Sequence, residues 1–135
     1  MATIALRVPT VVPDQANLPG GHCYILFPEP AISVRELIAE KVRAELRKAR
    51  AGGVHTSSLA LLLPPGAEIG DTALDEQLAI AQACRNFTLG QYLLLCDGRP
   101  MVDLDETIAL NRRTGLVFLC HTHRNGAGET IKEAA

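Results

Sequence analysis

Two histidines flank a threonine in Cys120-His121-Thr122-His123. Arg124 follows, and Gly126-Ala127-Gly128 leads into the polar run ETIKEAA. On an extended strand alternate side chains share a face, so His121 and His123 project together, with Cys120 and Thr122 opposite. Such a pair offers two imidazoles to a metal ion. Two ligands are too few for a closed site, and His22 and His55 stand at no spacing that would complete one. No metal is therefore expected. His121, His123 and Arg124 read instead as a solvated, mildly basic stem against which a partner enzyme docks. The glycines offer a different chemistry: a residue without Cβ tolerates either sign of φ, so this backbone is thin enough to thread a narrow groove.

Other reactive side chains do not assemble. Cys23, Cys84, Cys96 and Cys120 lie far apart with no C-x-x-C pair, which argues against a zinc ribbon or a disulfide frame. They are expected to be reduced and buried as small hydrophobes. The chain has no P-loop, no G-x-S-x-G and no H-E-x-x-H, so neither catalysis nor a cofactor is expected. Arg99, Arg112 and Arg113 fall in turns and read as a solvated face.

The elements that must position the tail follow from hydrophobic periodicity. Residues 3–12 place Ile4, Leu6 and Val8 on one side of a strand, and residues 22–28 form a second β-rich run. The prolines and glycines of PDQANLPGG join them as a hairpin with a long loop. Ser33-Val-Arg-Glu36 has capping-box spacing. Behind it Val34, Leu37, Ile38, Val42 and Leu46 recur at three and four, giving a helix with one apolar face that ends at Gly52-Gly53. VHTSSLALLLPPGAEIG is a short strand or a packed loop. Asp71 or Thr72 then caps a second helix, with Leu74, Leu78, Ala81 and Cys84 on its packed face, Phe87 near its end and Gly90 as the stop. QYLLLC, a short strand within PMVDLDETIAL, and LVFLCHT are the remaining strands, with turns at Asp97-Gly98 and Asn111–Gly115.

Length and charge narrow the class. At 135 residues one domain is expected, burying roughly two thirds of the surface of the unfolded chain. Charged residues are 21% and the formal net charge is −2, so neither nucleic acid nor a membrane surface is an expected partner. No stretch approaches the ~18 apolar residues of a membrane span. The first fifteen residues have no signal-peptide pattern, so a cytoplasmic location is expected.

LLLCDGRPMVDLDETIALNRRTGLVFL resembles the C-terminal half of β-grasp proteins of the ubiquitin-like and sulfur-carrier group. In that group a strand, a Gly-containing turn, a short strand, an L-D-x-x-x-x-L loop and a last strand precede a glycine-ending tail. CYILFPEPAISVRELIAEKV resembles the first half, and over about 90 residues the likeness is greatest to ubiquitin-like proteins of bacterial conjugation operons. The resemblance implies an α+β fold: one β-grasp domain over residues 1–124, a mixed sheet packed on a main helix, an insertion at 54–90 carrying the second helix, and a flexible tail at 125–135.

The resemblance also implies a function. An ATP-dependent adenylating enzyme would activate a C-terminal glycine carboxylate for a conjugating enzyme, which passes the chain to target proteins. Gly128 is the expected terminus, with Gly126 as the other candidate. A processing peptidase must then cut before Glu129 to remove ETIKEAA. Ala127 departs from the usual Gly-Gly end. One alternative is a sulfur carrier ending in a thiocarboxylate. The other is an adaptor that forms a homo-oligomer through a sheet edge or the inserted helix and uses no terminus.

Overall fold

Alternation in the first segment becomes a strand, β1 (Ile4–Val11), with Ile4, Leu6 and Val8 buried and Ala5 and Arg7 exposed. The computed structural model describes residues 3–11, 21–52, 62 and 76–120. β2 (Gly21–Phe27) runs antiparallel to β1, from Ile4 opposite Phe27 to Thr10 opposite Gly21. Its Cys23, Ile25 and Phe27 point inward, while Tyr24 and Leu26 point out. The loop foreseen between the two strands lies largely outside the described residues.

A three-residue strand, β3 (Ala31–Ser33), leads into α1 (Val34–Gly52). The foreseen cap is half present: the Ser33 hydroxyl accepts the Glu36 N–H at 3.1 Å but donates its own proton to the Glu36 carboxylate at 3.4 Å. The first turn has further partners from distant sequence. Val34 N–H donates to the Glu106 carbonyl and Arg35 N–H to that of Leu104, both at 2.9 Å. The orphan donors of a helix start are thus met by backbone about seventy residues away.

α2 spans Glu76–Thr88 and packs against α1. Residues 71–75, with the capping residue expected at Asp71 or Thr72, and Leu74 lie outside the described residues. The expected packed face needs correction: Ala79, Ala83, Cys84, Asn86 and Phe87 are buried, whereas Leu78 is 66% exposed and Ala81 faces solvent. Small Ala79 and Ala83 let the helix approach its neighbours closely. The Tyr92 hydroxyl donates to the Ala83 carbonyl at 2.8 Å, and the Asn86 amide to that of buried Leu62 at 3.0 Å. Those polar anchors fix the rotation of the helix. α2 ends as expected at Gly90, in the left-handed region at φ 75. Gly90 N–H meets the Phe87 carbonyl and Gln91 N–H that of Asn86, the pair of bonds of a Schellman motif.

β4 (Tyr92–Cys96) turns at Asp97-Gly98 into β5 (Arg99–Pro100). Both turn residues have positive φ, 52 and 83, as a two-residue turn matched to strand twist requires. β6 (Thr107–Ala109) pairs with β3 in a separate two-stranded sheet, which periodicity did not suggest. The turn at Asn111–Gly115 forms as expected, the Asn111 side chain accepting the Arg113 N–H at 2.7 Å. β7 (Leu116–Cys120) closes the main sheet.

The result is α+β, with two helices and a mixed five-stranded sheet in the order β2-β1-β7-β4-β5. β7 lies in the middle, parallel to β1 and antiparallel to β4. Val34, Leu37, Ile38, Val42 and Leu46 of α1 are buried in one cluster with the inward residues of β1, β2, β4 and β7. Among the described residues no helix is long and apolar enough to cross a membrane.

Candidate functional site

Every residue assigned a role in the tail, His121, His123, Arg124, Gly126, Gly128 and Glu129, lies outside the described residues. What is described is the root from which the tail departs: the Cys120 end of β7, at the centre of the sheet. Cys120 is buried and stands opposite Tyr92 of β4.

Below the same sheet lies a feature the periodicity passed over. Lys41 is 0% exposed and Glu45 2%, and the two form an ion pair at 2.6 Å. Lys41 stands four residues after Leu37 and three after Ile38, and Glu45 three after Val42, so both fall inside the apolar stripe of α1. That spacing was the available signal. Removing both charges from water costs several kcal/mol per ion, and the ammonium recovers part of it from several neighbours. It donates to Glu45 and to the Thr10 hydroxyl, stands 4.0 Å from the Cys23 sulfur, and lies 5.7 Å from the centre of the Phe118 ring. Because the partners are one helical turn apart, α1 alone sets their geometry. The order, lysine before glutamate, is the less favourable one along a helix.

This charge does not activate a nucleophile. Burial pushes the Cys23 thiol up to about 11, against a lowering by Lys41 and a further raising by Glu45. Burial also lifts Cys120 to about 11, with Lys41 opposing. Cys84 and Cys96 are raised by burial too. All four thiols are reduced and buried, so at neutral pH they carry protons rather than thiolate. Burial likewise raises the Tyr92 hydroxyl, with Cys84 and Cys120 adding to it.

Two surface hollows flank the helices. One, of about 500 Å³, lies between the edge strand β2 and α1, lined by His22, Cys23, Tyr24, Ala44, Arg47 and Lys48. The Lys48 ammonium donates to the His22 carbonyl at 2.8 Å, and the Arg7 guanidinium stands 3.5 Å from the His22 ring. The other, of about 400 Å³, lies beside Arg35, Ile80, Cys84, Arg85 and Leu104. Arg35 pairs with Asp105 at 3.2 Å and Arg99 with Glu106 at 3.4 Å, both exposed and worth little. Among the described residues no three His, Cys, Asp or Glu side chains gather where they could hold a metal ion.

No family model matches the chain, nor does any curated protein or solved structure.

Proposed function

We propose that the chain is a β-grasp, ubiquitin-like protein modifier, trimmed after Gly128 and activated there by an ATP-dependent adenylating enzyme for conjugation to target proteins. What supports the reading is the helix α1 lying across a mixed sheet, the architecture that the ubiquitin-like resemblance implies. The central place of β7 agrees with it, because a chain leaving mid-sheet departs from the most firmly held part of the fold. The chemistry asks only for an unhindered carboxylate. Gly128 supplies one once a peptidase has cut before Glu129, and the charged ETIKEAA segment does not suit a narrow groove.

The test is reconstitution with an adenylating, a conjugating and a processing enzyme of the kind that acts on ubiquitin-like modifiers. A chain ending at Gly128 is expected to be adenylated and conjugated without the peptidase, and Gly128→Asp is expected to abolish both trimming and conjugation. If the full-length chain works in its pathway as well as the trimmed one and Gly128→Asp is harmless, the modifier reading falls. The adaptor reading then takes its place.

A further inference from the structure

The two edges of the main sheet differ. At one end β5 is two residues long and contains Pro100, which lacks a backbone donor, beside charged Arg99. Short strands, proline and charge are the usual means of blunting an edge. At the other end β2 runs for seven residues, GHCYILF, with no proline and no acidic or lysine side chain. The Lys48 bond to the His22 carbonyl places that carbonyl outside the ladder with β1. Alternation then turns the N–H and C=O of Tyr24 and Leu26 outward as well. Among the described residues β2 pairs with β1 alone. The side chains of Tyr24 and Leu26 stand on the open face, 65% and 63% exposed.

We infer that β2 is the docking surface for a second copy of this chain, paired antiparallel about a two-fold axis at Ile25. In that register Tyr24 meets Leu26 of the second copy and Leu26 meets its Tyr24. Each pair exchanges two backbone hydrogen bonds and sets an aromatic ring against an aliphatic side chain. The ends of the strand fit the same register. His22 comes opposite Pro28, which has no N–H to give, and the His22 carbonyl is already satisfied by Lys48. Charge is complementary too: the cations Arg47 and Lys48 lie at the His22 end, and exposed Glu29 follows the other end. A two-fold axis brings each cationic end beside the other copy's carboxylate. A partner that repeats this strand in reverse satisfies all of these at once, as an isologous interface requires. The inference stands apart from the chemistry of the tail.

Sedimentation equilibrium of the full chain tests it. Mass should rise from one chain to two between about 10 μM and 1 mM, the range of a small edge-to-edge contact. Leu26→Pro removes one outward N–H and leaves the β1 ladder intact, a change tolerated on an edge strand. It should weaken association at least about tenfold with the denaturation midpoint held. Should that variant fail to fold, Leu26→Lys supplies the same reading. The register is read by mixing Tyr24→Cys and Leu26→Cys chains under mild oxidation, the native thiols being buried. The mixed disulfide should exceed both symmetric ones. A monomer throughout the range, a dimer unmoved by both Leu26 variants, or dominance of the disulfide that joins two Tyr24→Cys chains overturns the proposal.

Discussion

Lys41 and Glu45 put two opposite charges inside the cluster that holds the sheet to α1. Truncating one partner strands the other charge out of water. Lys41→Met is therefore expected to cost about 3–5 kcal/mol, whereas Lys41→Met with Glu45→Leu should be neutral or more stable than the native chain. Urea denaturation of the two variants checks the contrast, and equal losses in both would show that packing rather than charge governs the site. The thiols beside the pair set an alkaline limit. Cys23 and Cys120 hold their protons up to about 11 in the folded chain, against an ordinary value of 9.0. Between those values the unfolded chain has fewer protons bound than the folded one, so this contribution is full below pH 9 and is lost as pH rises through 11. The urea midpoint should fall over that interval, and Cys23→Ala with Cys120→Ala should flatten the decline. The apolar stripe of α1 was legible from spacing at Val34, Leu37, Ile38, Val42 and Leu46, but a charged side chain in that stripe reads as solvated until the elements covering it are seen. Lys41 was missed for that reason.

At the scale of elements, the signals that proved legible were local ones. Ser33 and Glu36 mark the start of α1, Gly90 the stop of α2, and Asp97-Gly98 the β4–β5 turn, because each is decided by a few neighbouring backbone groups. Gly98 holds φ 83, so Gly98→Ala should cost on the order of 1 kcal/mol through strain alone, as a lowered thermal midpoint. Leu37, buried on the sheet side of α1, should cost roughly 2–5 kcal/mol on change to alanine by leaving a cavity, as urea titration would read. An unmoved midpoint would place that helix face elsewhere than on the sheet. The rotation of α2 was not legible. Leu78 looks like core by composition, yet the partners that orient the helix, Leu62 and Tyr92, lie outside it in sequence. β3 escaped notice similarly, being three residues long and held by pairing with β6, whereas β6 falls within PMVDLDETIAL, where a short strand was expected.

For the molecule as a whole, the succession of hairpin, helix, second helix and closing strands could be read from periodicity and turn signals, while β3 and the separate small sheet could not. The α+β class, which the resemblance implied, is the one observed. The residues expected to carry chemistry, from His121 to Glu129, lie outside the described residues, and the roles proposed for Gly126, Gly128 and Glu129 follow from the ubiquitin-like resemblance. Full-length and Gly128-ended chains remain the comparison that decides them. The backbone clasp of α1 has a consequence in time. Its first turn is completed by carbonyls at Leu104 and Glu106, and β1 gains its inner neighbour only when β7 arrives, about a hundred residues later. At about 5–20 residues per second on the ribosome, the first hairpin waits roughly 5–20 s before either partner has been synthesised. During that wait β1 is open along the side that β7 will close. Nascent chains arrested before residue 100 should therefore be protease-sensitive throughout and held by chaperones, and release of the completed chain should bring protection to both halves in one step.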